Sequence, residues 1–227
     1  EDIEVLADTD QTYAKQQFGV KSSETKILGL IWNKHEDIIG VEIPSEVKRL
    51  TKRTVLQKLA SIYDPLGIIS PTTIIGKFIY RDICESKLSW DDELTEWIIK
   101  KWNQWGNNLP KAVYVPRTIN LKQETLEVID IHVFGDASLL GTCAVAYAVI
   151  QQPSGTKQGL IASKSRLSKK QLTIPRLELV AAQMAANLAE NIQNSLKTYN
   201  IRAVYGWSDS TVVLHWLQGN GSYKQFV

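Results

Sequence analysis

The chain has 227 residues, 44% hydrophobic and 22% charged, with a formal net charge of +2. This excludes a disordered or fibrous polymer and leaves room for one or two cored domains. No uninterrupted apolar run approaches the roughly 20 residues that cross a bilayer, and the N-terminal "EDIEVLADTD" is acidic, so neither a membrane span nor a signal peptide is read.

The charge is unevenly spread. Residues 1–45 hold 4 Lys/Arg and 9 Asp/Glu, residues 46–117 hold 12 and 8, and residues 118–227 hold 10 and 7. Basic segments after an acidic one hint at a polyanionic partner, because phosphate backbones draw Lys and Arg through counterion release. Cys84 and Cys143 lack metal or disulfide spacing, which fits a reducing, intracellular compartment and core filling as their role. The chain starts at Glu1 rather than Met and stops at "YKQFV"; it is expected to be an internal piece of a longer polypeptide.

In chain order, "TKILGLIWNKHEDIIGVEIP" (25–44) predicts two strands around a short polar loop. "PSEVKRLTKRTVLQKLASIYDPLG" (44–67) predicts a helix started by Pro44 and Ser45, with Val47, Leu50, Val55, Leu59 and Ile62 on its apolar side, ended by "DPLG". Lys48 with Lys52 and Arg49 with Arg53 are then i, i+4 pairs. They form either a solvated face or a contact to a phosphate backbone. A second helix is predicted over 72–86 and a third over 89–110, with Ser89 as N-cap, Asp92 in the first turn and Gly106 at the stop. The apolar face of that third helix, Leu94, Trp97, Ile98, Trp102 and Trp105, reads as packing rather than a base-stacking platform. "PKAVYVPR" (110–117) reads as a connecting strand or extended linker, with a domain boundary near residue 118.

Three strands follow, over 126–138, 141–152 and 156–167, then a helix over 174–196, a strand over 201–210 and a helix over 210–219. This order describes an α/β layer with a mixed sheet. In the long helix, Leu177, Val180, Ala181, Met184, Leu188 and Ile192 share one side.

Three acids stand out by position: Asp136 at one strand end, Glu178 in the opening turns of the long helix, and Asp209 at another strand end. Alone, each could be a turn or cap residue. Together they can converge on one sheet edge, where open α/β folds place their sites. Three convergent carboxylates repel one another unless a cation neutralises them. Their hard oxygens suit Mg²⁺ or Mn²⁺, and a pair of such ions can drive in-line hydrolysis of a phosphodiester.

"FGDAS", "TIPRLELVAA" and "WSDSTVVLHWL" resemble the ribonuclease H domain of BEL/Pao-type retrotransposon Pol polyproteins. Upstream, "KILGLIWN", "TKRTVLQKLASIYDPLGIISP" and "VPR" resemble the same polyprotein between reverse-transcriptase palm and ribonuclease H. The resemblance implies a ribonuclease H-like mixed sheet with flanking helices, C-terminally truncated, preceded by a mostly helical thumb/connection segment. It divides the chain into the end of the palm (1–45), the thumb/connection (46–117) and the ribonuclease H-like domain (118–227). The implied activity is cutting of RNA in RNA:DNA hybrids, with two Mg²⁺ or Mn²⁺ ions held by Asp136, Glu178 and Asp209. Ser138, Lys164, Arg166, Arg176 and Ser210 become candidates for contacts to the nucleic-acid backbone. The rest of the Pol polyprotein is the implied partner, in the cytoplasm or in virus-like particles.

Two departures from the family's pattern shape the expectation. The family uses a fourth acid near the start of a later helix, but Asp209 is the last Asp or Glu in this sequence; a fifth strand and a final helix are also expected to lie beyond it. The one Asp-Asp pair, Asp91-Asp92 in "LSWDDEL", reads as helix capping rather than a polymerase motif. The region also carries an aspartic-peptidase label in this family, yet neither Asp-Thr-Gly nor Asp-Ser-Gly occurs, the nearest being "DTD" (8–10) and "DST" (209–211). His35, His132 and His215 are scattered, with His132 read as a sheet-face residue. A non-catalytic nucleic-acid-binding segment stands as the alternative to the nuclease.

Overall fold

Leu28 and Gly29 adopt positive φ, 49° and 84°, the geometry of a two-residue hairpin turn, so "TKILGLIWN" reverses on itself. The computed structural model describes residues 24–44, 49–120 and 124–219. In it β1 (Glu24–Ile27) and β2 (Leu30–Asn33) form this first hairpin, and β2 pairs with β3 (Ile38–Glu42) across the expected polar loop. β4 (Ala112–Pro116) pairs antiparallel with β3, making a four-stranded sheet in the order β1-β2-β3-β4. The segment read as a connecting strand or extended linker is therefore a strand. Arg117, just past it, grips the buried Asp37 of the β2–β3 turn through Nε to Oδ1 at 2.6 Å and Nη2 to Oδ2 at 3.0 Å.

Three helices lie between β3 and β4: α1 (Lys52–Ser61), α2 (Ser70–Glu85) and α3 (Glu96–Asn107). The helix expected over 44–67 is shorter, because Thr51 and Thr54 form a reciprocal cap. Thr54 N–H donates to Thr51 Oγ1 at 3.2 Å and Thr51 N–H to Thr54 Oγ1 at 2.9 Å, which fixes the start at Lys52. Arg49 therefore precedes the helix and is no i, i+4 helical partner of Arg53; Lys48 lies outside the described residues. Likewise α3 starts after Thr95, not Ser89, and runs through Gly106 to Asn107. The chain before it makes a turn over Trp90–Asp92, tied to the α1 start by Arg53 N–H to Trp90 O (3.1 Å) and Leu94 N–H to Leu50 O (3.3 Å). Asp92 instead accepts the Ser89 N–H at 2.8 Å, and Asp91 pairs with Arg53.

Val55, Ile79, Ile83, Leu94, Ile98, Trp102 and Trp105 form the shared core of the three helices. The expected apolar face thus packs, with Trp97 left 51% exposed.

The second sheet follows the expected order closely. β5 (Val128–Ala137), β6 (Gly141–Gln152) and β7 (Gly155–Leu167) are antiparallel neighbours, and β8 (Ile201–Trp207) lies parallel to β5. The strand order is β7-β6-β5-β8. α4 (Ile174–Ser195) crosses one face and α5 (Thr211–Gln218) follows β8. Alternation turns Ile129, Ile131 and Val133 of β5 and Ala144, Ala146 and Ala148 of β6 toward Met184, Ala185, Leu188 and Ile192 of α4. This is the mixed α/β arrangement that the resemblance implied.

The same alternation turns Cys143 away from this core, between buried Thr142 and Ala144. Cys143 and Cys84 are both exposed free thiols, so neither fills a core. On the outward face, His132 stacks on Tyr205, ring centroids 4.9 Å apart, and accepts the Trp207 Nε1–H at 3.1 Å.

The helical segment docks on β7. Ser163 donates its N–H to Leu66 O at 2.8 Å and its hydroxyl to Gly67 O at 2.7 Å. Gly67 has φ +74°, and a Cβ there would lie 2.2 Å from Ser163 O, so both the turn and the close approach require glycine.

Candidate metal centre

Three placements bring the carboxylates together. In the parallel pair of β5 and β8, Phe134 lies beside Trp207, so Asp136 and Asp209, each two residues further on, leave the same sheet edge side by side. α4 supplies the third. It crosses β5 at Gly135, where a Cβ would lie 2.8 Å from Ala181 O. The missing side chain lets the helix backbone sit on the strand, and Glu178, one turn earlier than Ala181, lands over the strand end. One carboxylate oxygen from each of Asp136, Glu178 and Asp209 lies within 4.8 Å of the others.

The environments differ. Asp136 and Asp209 are exposed, whereas Glu178 is 8% exposed and its Oε2 is buried with no hydrogen-bond partner among the described residues. Burial raises the Glu178 carboxyl above the usual carboxylate range, and the charges of Asp136 and Asp209 push it further; the Ala137 N–H works the other way. That same N–H donates to Asp136 Oδ1 at 2.7 Å. A buried acid with one orphaned oxygen, grouped with two other carboxylates as hard oxygen donors, is an arrangement that a divalent cation would complete. Beside it, the Cys143 Sγ sits 3.6 Å from Asp136 O. Although the residue is exposed, neighbouring atoms partly cover the sulfur, and this desolvation first, then the Asp136 charge, push the thiol up.

The other candidates lie around this edge or on the helical segment. Thr142 pairs with both Ala137 and Arg166, so Arg166 shares the row of Asp136's neighbour two strands away; Lys164 lies two residues before it. Both are exposed, as is Arg176 in the first turn of α4. Ser138 Oγ accepts the N–H groups of Leu140 (3.2 Å) and Gly141 (3.1 Å), and Ser210 Oγ accepts that of Val213 (3.4 Å), capping α5. Arg49, Lys52 and Arg53 cluster at the start of α1. Arg53 is bidentate to Asp91 at 2.7 and 3.0 Å, Arg49 reaches Asp91 O at 3.4 Å, and Lys52 Nζ lies 5.0 Å from the Trp90 ring centroid.

Motif reading missed Ser168 and Arg81. Ser168 is buried and donates its hydroxyl to Ser138 O at 2.7 Å. Arg81 of α2 donates to Ser168 O at 2.8 Å and Leu140 O at 3.3 Å. Neither position carries a motif; only the fold brings them to the site.

Sheet order and acidic edge together define a ribonuclease H-like domain. The chain belongs to the family described as Pao retrotransposon-like RNaseH-like domain, whose sequence model matches residues 51–210. It is also similar to two solved structures of foamy virus proteins. One is the foamy viral protease-reverse transcriptase dRH in complex with dsDNA, at 19% identity and TM-score 0.37, covering 85% of this chain and 32% of that one. The other is the foamy viral protease-reverse transcriptase in complex with dsDNA, at 16% identity and TM-score 0.36, covering 85% and 38%. This chain thus spans about a third of the length of those structures. No curated protein matches it. None of the described helices is long and apolar enough to cross a membrane.

Proposed function

We propose that the chain is the part of a retrotransposon Pol polyprotein that hydrolyses the RNA strand of RNA:DNA hybrids in a metal-dependent way. The observation that carries this reading is the meeting of Asp136, Glu178 and Asp209 within 4.8 Å, with the Glu178 Oε2 orphaned. Asp136, Glu178 and Asp209 would hold Mg²⁺ or Mn²⁺, two ions by the family pattern, in a hard, all-oxygen set. When bound, such ions supply Lewis acidity toward a phosphodiester and activation of water.

The chain's own groups divide the remaining work. Glu178 is the buried anchor, while exposed Asp136 and Asp209 leave the outer side open to a substrate backbone. Ala137 offers only a methyl group and its N–H, which orients Asp136, so the strand end leaves room for a sugar-phosphate chain. Arg166, Lys164, Arg176, Ser138 and Ser210 border this edge as backbone contacts, and Arg49, Lys52 and Arg53 extend the basic surface along the helical segment. Because Arg53 is neutralised by Asp91, Arg49 and Lys52 carry most of that contact. We divide the chain at residues 45 and 117 into palm end, thumb/connection and nuclease; the core of the second sheet, which lies wholly beyond residue 117, supports the later boundary, whereas Ile69 and β4 of the middle segment share the core and the sheet of the first strands. The free thiols of Cys84 and Cys143 agree with a cytoplasmic setting, virus-like particles included.

The aspartic-peptidase reading draws no support from the site, since Asp209 of "DST" groups with Asp136 and Glu178; "DTD" lies outside the described residues. The test is cleavage of a labelled RNA:DNA hybrid and of duplex DNA with Mg²⁺ or Mn²⁺, the 2′-hydroxyl being the feature that distinguishes the strands. Asp136→Asn is expected to lower hybrid cleavage at least about 100-fold. Equal cleavage by wild type and variant, or salt-sensitive binding without cleavage, refutes the nuclease reading.

A further inference from the structure

The turn that follows Asp136 is not held by its own sheet alone. Ser138 pairs with Gly141, its N–H donating to Gly141 O at 2.8 Å, and Ser168, the residue just past β7, clasps this turn twice. Its N–H donates to Leu140 O at 2.9 Å and its hydroxyl to Ser138 O at 2.7 Å. Ser168 is 4% exposed. The guanidinium of Arg81 then closes the arrangement from outside the nuclease sheet, with Nη1 donating to Ser168 O at 2.8 Å and Nη2 to Leu140 O at 3.3 Å. A planar fork that engages two carbonyls fixes orientation as well as distance, which a lysine at the same place cannot do.

Arg81 belongs to α2, in the helical segment, 55 residues before Asp136 in the sequence. Two further links dock the same segment: the Ser163 bonds to Leu66 and Gly67, and Lys170 Nζ to Glu85 Oε2 at 2.6 Å.

We propose that Arg81 is a positioning residue for the carboxylate site, through which the helical segment holds the β5–β6 turn and so sets the geometry at which Asp136 and Glu178 meet a metal ion. The path is short. Arg81 and Ser168 fix the carbonyls of Ser138 and Leu140; Ser138 is bonded to Ala137; and the Ala137 N–H faces both the Asp136 and the Glu178 carboxylates. The helical segment is then a structural part of the nuclease centre as well as a surface for nucleic acid. This rests on the metal-dependent nuclease reading above and names a regulator of the same site.

The experiment uses the whole chain with Mn²⁺ as probe, read by calorimetry and electron paramagnetic resonance. Hydrogen exchange of residues 136–141 is measured without metal. Arg81→Ala is expected to weaken Mn²⁺ binding about 10- to 100-fold, the usual effect of losing a group that orients a ligand, and to speed exchange in the turn, with the melting temperature lowered by no more than about 5 °C. Arg81→Lys is expected to recover charge but little of the affinity. Should Arg81→Ala fail to fold, Ser168→Ala removes the hydroxyl contact to Ser138 and carries the same expectation. Wild-type Mn²⁺ affinity and wild-type exchange in the folded variant overturn the proposal. Asp136→Asn separates the two readings: if it abolishes Mn²⁺ binding and cleavage while Arg81→Ala changes neither, only the positioning role falls; if Asp136→Asn is silent, the nuclease reading falls.

Discussion

Glu178 is the residue at which chemistry and stability oppose each other most directly. Buried beside two other acids, its carboxyl is raised, first by burial and then by Asp136 and Asp209. Its folded value lies above the unfolded value of about 4.3, so the folded state keeps this proton longer. The resulting stability is fully present below the unfolded value and is lost as pH rises through the folded one. In metal-free protein, Glu178→Gln is therefore expected to raise the melting temperature at pH 7 by about 2–4 °C, with no gain below about pH 4. Mn²⁺ should stabilise the wild type and not the variant. Calorimetry across pH, with and without Mn²⁺, checks both halves; a variant less stable than wild type at pH 7 contradicts the account. The sequence made this residue visible by its position in the opening turns of the long helix, in order with Asp136 and Asp209, but its burial and its orphaned oxygen depend on where α4 lies.

At the scale of elements, one glycine decides whether α4 delivers Glu178. At Gly135 the strand and helix backbones approach so closely that a methyl group would meet Ala181 O at 2.8 Å and the Ala185 Cβ at 3.2 Å. Gly135→Ala is expected to cost about 1–3 kcal/mol, as overpacking does, and to weaken Mn²⁺ binding by pushing the helix away from the strand end. Denaturant unfolding and Mn²⁺ titration test it; full Mn²⁺ affinity in the variant would show that the close contact does not set the site.

The strands of the nuclease sheet and α4 were readable because their alternation and helical periodicity are strong and uninterrupted. The starts of α1 and α3 were not. A threonine pair, Thr51 and Thr54, sets the first at Lys52, while Ser45 lies outside the described residues. At the second, contacts from the α1 region to Trp90, Asp91 and Leu94 hold the chain in a non-helical turn past Ser89. Such long-range pairing leaves no mark in local propensity.

For the whole molecule, charge and docking matter together. The segment 46–117 carries the largest excess of positive charge, and docking through Ser163, Arg81 and Lys170 joins it to the nuclease sheet. Its contribution to hybrid binding should then be electrostatic: Lys52→Ala is expected to lower the slope of log affinity against log salt by about 1 without altering cleavage of bound hybrid. A filter-binding series across salt concentrations measures this, and an unchanged slope removes Lys52 from the interface.

By itself the sequence determined the order of strands and helices in the second α/β layer and the three acids, two at strand ends and one in the opening turns of the long helix, since both follow from local periodicity and residue type. Tertiary structure alone decided that Ala112–Pro116, readable as strand or linker, pairs into the first sheet, that both cysteines are exposed, and that Arg81 reaches across to the turn after Asp136. Those outcomes depend on pairing and packing between residues far apart in the chain, which no local pattern encodes.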